Sequence, residues 1–174
     1  REYQTIIEID PKNLVAYLYL ATIYAQEKKY DSAEKAYRRM LAIDPDNIIG
    51  MYYYAKTLTQ MNHWAEAEAL YHKITLQGPA FEAAWLGLAA LYETQNKHNE
   101  AIGVYRRYLE INPARINFRM KIADLLVKAN KREAAEKELQ EVLKTDPANR
   151  EVRTALGLLY YDMRRFDAAA VQFS

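Results

Sequence analysis

The residue types best suited to catalysis or metal binding are few and scattered in this 174-residue chain, which has three histidines and no cysteine. His63 and His98 fall in segments predicted as loops, and His72 falls on the outward side of a predicted helix. None of them has a second histidine or a carboxylate at a metal-ligand spacing such as H-E-x-x-H. The 23 acidic residues could form acid–base pairs in any fold, so their presence does not indicate a catalytic site. The sequence predicts surface histidines and no metal site.

Motifs for nucleophilic and phosphate chemistry do not occur either. The sequence has no Gly-rich phosphate loop, no G-x-S-x-G segment and no cysteine nucleophile. Each of these motifs places a reactive or anion-binding group on a specific turn, and nothing in the sequence replaces them. We therefore expect a protein that is not an enzyme, with no catalytic residues and no cofactor.

Charge and hydropathy exclude two classes of partner. The 24 basic and 23 acidic side chains leave a net charge of +1, so no long-range field favours nucleic acid or an anionic membrane. No apolar run approaches the roughly 20 residues of a membrane-inserted helix, and no signal peptide is visible. Because the sequence starts at Arg1 and stops within a helical pattern, we expect a fragment of a longer array whose targeting signals lie outside it. Cytoplasmic and periplasmic locations both stay open.

The elements that must position any site repeat along the chain. All five prolines are 34 residues apart, and because proline is excluded from helix interiors, each marks the same turn. They are Pro11, Pro45, Pro79, Pro113 and Pro147, in the segments IDPKN, IDPDN, QGPAF, INPAR and TDPAN. With Leu14 as position 1 of the 34-residue unit, position 20 is always alanine. These alanines are Ala33, Ala67, Ala101, Ala135 and Ala169. A period of this length predicts a repeat protein.

Each unit contains two helical patterns. Apolar residues within 14–27 follow the i, i+3, i+4, i+7 spacing of an amphipathic helix. After the polar segment QEKKYD, a second helix is predicted over 31–43, with Asp31 as its N-cap. Position 8 is always alanine or glycine, and small residues at positions 8 and 20 let the two helices approach closely. Neither helix buries its apolar face alone, so the pairs must stack on one another.

This pattern resembles the tetratricopeptide repeat, which has a small residue at position 8, alanine at 20, aromatic residues at 4, 11, 17 and 24, and proline at 32. The resemblance covers the whole chain and implies an all-α fold, a right-handed superhelical solenoid of helix-turn-helix repeats. It also implies a single array over 1–174. This array consists of the second helix of a preceding repeat (1–13), four full repeats (14–47, 48–81, 82–115 and 116–149) and a truncated fifth repeat (150–174).

The same resemblance implies where a partner binds, because family members commonly use a concave groove lined by positions 2, 5, 6, 9, 12 and 13 of the first helix. Of the 15 tyrosines, all but four fall at core positions of the repeat. The four others are Tyr19, Tyr52, Tyr53 and Tyr161, and all fall at groove positions. The predicted partner-binding groove consists of Leu18, Tyr19, Thr22, Ile49, Tyr52, Tyr53, Lys56, Leu86, Lys121 and Tyr161. The alternative is that tight curvature buries these side chains between repeats.

We therefore expect a protein–protein interaction scaffold whose groove binds an apolar or aromatic-bearing peptide or helix. Lys56 would bind a backbone carbonyl or an acidic side chain of that partner. The Lys, Asn and Arg pattern of family members that clamp acidic chaperone tails is absent. Two alternatives stay open. The array could be a structural spacer in a larger assembly, such as a bacterial envelope polysaccharide-secretion apparatus, with its groove filled by flanking segments or by self-association. It could also be the regulatory domain of a larger enzyme.

Overall fold

The computed structural model describes residues 2–173, within which eleven α-helices and no strands occur. The helices are α1 (Glu2–Ile9), α2 (Leu14–Gln26), α3 (Tyr30–Ile43), α4 (Ile48–Gln60), α5 (Trp64–Gln77), α6 (Glu82–Thr94), α7 (His98–Ile111), α8 (Ile116–Lys128), α9 (Arg132–Thr145), α10 (Arg150–Asp162) and α11 (Phe166–Phe173). The helices form two series. The even-numbered helices from α2 to α10 begin every 34 residues, and so do the odd-numbered helices from α3 to α11. The predicted all-α fold class is confirmed.

The chain divides into two compact units, with the boundary after Leu91. In unit 1, residues 1–91, α2 pairs with α3 and α4 pairs with α5. In unit 2, residues 92–174, α8 pairs with α9 and α10 pairs with α11. Each pair joins the first and second helices that the sequence assigns to one repeat. The grouping of all repeats into a single array stays a prediction.

The paired helices approach each other at small residues. The buried alanines of positions 8 and 20 in unit 1 are Ala21, Ala33, Ala55, Ala67 and Ala89, each 0% exposed. Aromatic rings fill the space around these contacts. Tyr37 stacks on Tyr54 with 5.5 Å between ring centroids in unit 1, and Tyr108 lies 4.4 Å from Phe118 in unit 2. Small residues at the contact and rings beside it are therefore the packing rule of both units.

The proline segments form the turns that open the first helix of a repeat. In the first of them, Asn13 Oδ1 accepts a hydrogen bond from Ala16 N at 2.9 Å, and Asn13 Nδ2 donates to Asp10 Oδ2 at 3.4 Å. Asn47 and Asn149 cap α4 and α10 in the same way. Each cap satisfies an N–H group that the first helical turn leaves without a partner. The Asp-Pro-x-Asn sequence is thus a local device that starts a helix.

The turn between the two helices of a repeat depends on one residue in the left-handed conformation. Among residues 2–173, five non-glycine residues have φ between 57° and 62°, one in each repeat. They are Lys28, Asn62, Asn96, Asn130 and Arg164. In the first turn, the residue that follows donates a backbone hydrogen bond to the end of the first helix, from Lys29 N to Tyr24 O at 2.8 Å. This bond satisfies a helix-end carbonyl and fixes the direction of the next helix.

The N-cap predicted for the second helix is wrong. The α3 helix starts at Tyr30, its N-cap is Lys29 without a side-chain hydrogen bond, and Asp31 lies within the first turn. A carboxylate in the first turn still interacts favourably with the positive end of the helix dipole. The cap is not needed because the left-handed residue Lys28 already sets the path of the chain into α3.

Candidate functional site

The groove residues predicted in unit 1 lie on the first helices α2, α4 and α6, and part of this surface is apolar and open to water. Val15, Tyr19 and Ile49 are 61%, 51% and 43% exposed. Val15 and Tyr19 are one turn apart on α2, and α2 packs against α4, whose first turn contains Ile49. We call the following set the groove face of unit 1: Val15, Leu18, Tyr19, Thr22, Ile49, Tyr52, Tyr53, Lys56 and Leu86.

Tyr19 is held in place by a second ring. It stacks on Tyr3 of α1 with 5.4 Å between ring centroids and an interplanar angle of 17°. This contact limits the rotation of the Tyr19 side chain although half of its surface is exposed. The ring is therefore oriented before any partner arrives, which lowers the entropy lost on binding.

Tyr52 is the centre of an aromatic cluster. Its ring makes edge-to-face contacts with Tyr53 and Phe81, both with centroids 5.4 Å apart, and with Tyr71 at 6.4 Å. Tyr52 and Tyr53 are half-buried, and Tyr71 is buried. Burial raises the pKa of Tyr52, and it raises the pKa of Tyr71 to about 12, so both phenols stay neutral well above neutral pH. The cluster provides a rigid floor beside the exposed apolar residues.

Two members of this cluster, Tyr71 and Phe81, were not among the predicted groove residues. Tyr71 occupies a position that the repeat assigns to the core, and it is 3% exposed. Phe81 lies in the QGPAF turn, where the IDPKN, IDPDN and TDPAN turns have asparagine. This exchange of a helix cap for an aromatic ring was the sequence signal that could have identified Phe81.

The remaining groove residues of unit 1 differ in the apolar surface, hydrogen-bonding groups and charge that they offer to a partner. Thr22 Oγ1 donates a hydrogen bond to Leu18 O at 2.8 Å, so its hydroxyl proton is already used within α2. Leu18 and Leu86 are half-buried and offer only part of their apolar surface. Lys56 is exposed and has no ion-pair partner within residues 2–173. It is the one predicted groove residue of unit 1 that offers a charge to a partner.

The other two predicted residues belong to unit 2. Lys121 is exposed and lines a cavity of 470 Å³ with Met120 and Asp124. Tyr161 is 64% exposed and packs edge-on against Phe166 with 5.4 Å between ring centroids. The ten predicted residues therefore do not share one unit: eight lie in unit 1, and these two lie in unit 2.

The histidines are not all solvated. His63 Nδ1, at the N-cap of α5, lies 3.6 Å from Glu66, and His72 Nε2 on α5 lies 3.8 Å from Glu68; both pairs are partly exposed. His98 differs, because its Nδ1 is buried and has no hydrogen-bond partner in the described part of the chain. Within residues 2–173, no group of three His, Asp or Glu side chains could hold a metal ion. In the same range, no helix is long and apolar enough to cross a membrane.

The sequence matches the profile of the tetratricopeptide repeat over residues 1–46, 25–92 and 92–159. Among curated proteins, none matches it significantly. Several solved structures share the fold. One structure of MamA is 17% identical, has a TM-score of 0.70, and covers 94% of this chain and 89% of its own.

Two further structures are similar over nearly the whole chain. PilF of Pseudomonas aeruginosa is 21% identical with a TM-score of 0.70, and the alignment covers 98% of this chain and 78% of that one. YrrB, described as a protein with an unusual peptide-binding site, is 16% identical with a TM-score of 0.67, and the alignment covers 99% of this chain and 89% of that one. At these identities the similarity establishes the fold alone.

Proposed function

Because the chain belongs to the tetratricopeptide repeat family, whose fold supports protein-interaction scaffolds in general, we propose that the groove face of unit 1 binds a protein segment. This segment is a peptide or a helix that carries apolar or aromatic side chains. The observation that carries the proposal is the exposure of Val15, Tyr19 and Ile49 beside the rigid aromatic cluster around Tyr52.

The energetic argument rests on surface area. Apolar surface that leaves water contributes roughly 25 cal/mol per Å², and contiguous apolar patches on soluble proteins commonly mark interaction sites. Val15, Tyr19 and Ile49 lie on two adjacent helices, so one partner segment can cover all three. A scattered distribution of exposed apolar residues would not allow this.

The composition of the surface also favours recognition. Tyrosine combines a large contact area with a polar tip and only two side-chain torsions, which makes it a common anchor in interfaces. Tyr19 and Tyr53 each pack against another ring, Tyr3 and Tyr52 respectively, so they lose little freedom when a partner binds. Lys56 adds one cation without an ion-pair partner in residues 2–173. It fits a backbone carbonyl or an acidic side chain of the bound segment.

YrrB supports the proposal only as a precedent, because it is described as having a peptide-binding site and has a similar fold. The residues that would bind the segment in this chain come from its own geometry. They are Tyr19 and Tyr53 as anchors, Ile49, Leu18 and Leu86 as apolar contacts, and Lys56 as the polar contact.

Site-specific photo-crosslinking tests this proposal. Benzoylphenylalanine is introduced at position 49, on the groove face, and in a second variant at position 76. Leu76 is a matched control because it is apolar, 76% exposed and lies on the second helix α5. We expect a defined crosslinked protein from position 49 and not from position 76, in cells that produce the chain naturally. Equal crosslinking at both positions, or at neither, would contradict the proposal and favour the structural-spacer alternative.

A further inference from the structure

A cavity lined by charged residues lies in unit 2, between the first helices α8 and α10. It has a volume of 470 Å³ and opens to solvent. The α8 helix contributes Lys121 and Asp124 to its lining, and α10 contributes Glu151. The function proposed for the groove face of unit 1 uses none of these residues.

The residues of α8 that line the cavity share one face of that helix. Lys121 follows Asn117 by four residues and precedes Asp124 by three, and residues at these spacings are neighbours on a helix surface. All three are exposed, and the half-buried Met120 lies beside them in the lining. One wall of the cavity thus offers an ammonium group, a carboxylate and an amide next to apolar surface.

The start of α10 positions the acidic residue that this helix contributes. Asn149 Oδ1 accepts a hydrogen bond from Val152 N at 3.0 Å, and Asn149 Nδ2 donates to Asp146 Oδ2 at 2.9 Å. These bonds fix the first turn of α10, which contains Glu151. The exposed carboxylate of Glu151 is therefore attached to a backbone whose conformation the cap determines.

The cavity is formed by internal helices, and its residues are exposed for a reason that the repeat explains. Glu151 occupies position 2 of its repeat. Three of its four equivalents, Val15, Ile49 and Asn117, are exposed as well, although another helix pair follows each of them. Position 2 therefore faces solvent also where the next repeat is present.

The charged side chains of the cavity are available to a partner. Lys121, Asp124 and Glu151 are exposed and have no ion-pair partner among residues 2–173. Two carboxylates and one ammonium group give the lining a net negative charge. In unit 1, the position of Lys121 is occupied by Tyr19, so the same face of the first helix is aromatic there and charged here.

We propose that this cavity binds a protein segment in which an arginine stands next to an acidic residue. The guanidinium group donates hydrogen bonds to the carboxylates of Asp124 and Glu151, because its planar fork can engage two acceptors at once. The aliphatic part of the arginine packs on Met120. The acidic neighbour accepts a hydrogen bond from Lys121 Nζ. A purely apolar segment would satisfy none of these charges, so the specificity differs from that proposed for unit 1.

The test uses N-acetyl-Arg-Glu-amide as the probe and follows the amide chemical shifts of the labelled chain. Two matched probes each remove one charge, with citrulline in place of arginine or glutamine in place of glutamate. We expect shifts at Asn117, Lys121 and Glu151, and none at Ile49 or Tyr53. Each exposed ion pair that is lost should weaken binding about two- to fivefold. Equal binding of the three probes, or shifts confined to the groove face of unit 1, would overturn the proposal.

Variants of the two carboxylates locate the arginine. The double variant Asp124→Asn and Glu151→Gln keeps the shape of both side chains and removes their charges, so it should bind the Arg-Glu and citrulline-Glu probes equally. Glu133→Gln is the control, because Glu133 is exposed in the first turn of α9 as Glu151 is in that of α10. It should bind like the wild type. A folded double variant that still prefers arginine would show that the cavity is not the site.

A third variant locates the acidic neighbour. Lys121→Met should bind the Arg-Glu and Arg-Gln probes equally and still prefer arginine to citrulline. A preference for glutamate that survives this substitution would contradict the role of Lys121. Crosslinking at position 49 should be the same in all these variants, so the outcome is independent of the function proposed for unit 1.

Discussion

The ring of Tyr71 occupies the space beside Gly87 in which any other residue would place its side chain. A Cβ atom on Gly87 would lie 2.5 Å from Tyr71 Cε1 and 2.7 Å from Tyr71 Cζ. The second helix α5 and the first helix α6 can therefore approach closely at this point, and Tyr71 is buried under the groove face of unit 1. The contact links the packing of unit 1 to the aromatic cluster around Tyr52.

Two glycines inside helices should respond to alanine with opposite signs. At Gly103, on the exposed side of α7, a Cβ would meet nothing within 4 Å, so Gly103→Ala should stabilise the protein by about 1 kcal/mol through helix propensity. Gly87→Ala should destabilise it by about 1–3 kcal/mol, because the buried Tyr71 ring must move. Chemical denaturation of both variants measures this difference. Stabilisation by both substitutions would show that the Tyr71 ring adapts without strain.

The tyrosines of α4 should separate binding from stability. Tyr53→Ala should weaken the binding of the crosslinked partner roughly thirtyfold, since truncation of an interface anchor commonly costs about 2 kcal/mol of binding free energy. Tyr52→Ala should instead lower the free energy of unfolding by about 2 kcal/mol or more, because this ring contacts Tyr53, Tyr71 and Phe81. Titration calorimetry and melting curves of the two variants provide the comparison. A folded Tyr53 variant with wild-type affinity would mean that the rings serve packing alone.

Tight packing within unit 2 can be tested at Ala101 on α7. This residue is 0% exposed, so Ala101→Leu should destabilise the protein by about 1–3 kcal/mol through overpacking. Lys131→Ala serves as the control, because Lys131 is exposed and its side chain donates a long hydrogen bond to Asn99 Oδ1 at 3.3 Å. It should change stability by about 0.5 kcal/mol or less. Equal urea midpoints for the two variants would mean that Ala101 is not a tight contact.

Backbone strain at Lys28 offers a route to a more stable protein. Lys28 has φ of 59°, whereas three of its four equivalents are asparagine, which tolerates this conformation better. Lys28→Gly should stabilise the protein by about 0.5–1 kcal/mol, and Lys28→Asn by somewhat less. Lys29→Gly is the control, because the next residue has φ of −83°, and it should not stabilise. Thermal melts at the same pH and salt concentration distinguish the two positions.

Alkaline pH should unfold the protein through its buried phenols. Burial raises the pKa of Tyr71 to about 12, and burial together with hydrogen bonds to Glu34 and Glu93 raises the pKa of Tyr54 and Tyr105. Because unfolded tyrosines ionise near pH 10, the folded state keeps these protons longer. The stability they provide is complete below pH 10 and falls as the pH rises towards 12. For Tyr71 alone the loss reaches about 3 kcal/mol.

The measurement is tyrosinate absorbance recorded together with helical circular dichroism over this pH range. We expect the last phenols to ionise in step with the loss of helix. Tyr71→Phe removes one of the buried groups, so its free energy of unfolding should depend less steeply on pH. A Tyr71→Phe variant whose free energy of unfolding depends on pH as steeply as that of the wild type would contradict the raised pKa of Tyr71.

The fold was predictable because its determinants recur. Residues such as Ala33 and Pro45 return every 34 positions, so the helix pairs and their contacts could be derived from a single unit. The helix start at Tyr30 was predicted wrongly because it depends on the backbone conformation of Lys28, which the side-chain pattern does not specify. The boundary after Leu91 was not predicted either, since the period continues across it without interruption.

The candidate site was predictable only in part. The surplus of tyrosine at groove positions pointed to Tyr19, and the structure leaves half of its surface exposed. The contacts of Tyr52 with Tyr71 and Phe81 were not predictable, because they join side chains of a first helix, a second helix and a turn. Contacts of this kind depend on the residues that happen to meet between elements, and no position within one repeat determines them. The binding role of these residues stays a prediction.

The capped turn at Asp10 and Asn13 has a consequence for how such a chain can evolve. Its side-chain bonds join residues no more than three positions apart, so a duplicated segment of 34 codons carries the complete turn with it. A copy inserted in frame starts its first helix correctly whatever its neighbours are. Selection then has to adjust only the surfaces between copies, as the exchange of asparagine for Phe81 in one turn illustrates. The gene can thus grow by duplication of whole repeats, because the hydrogen bonds that form the turn involve only two side chains close together in the sequence.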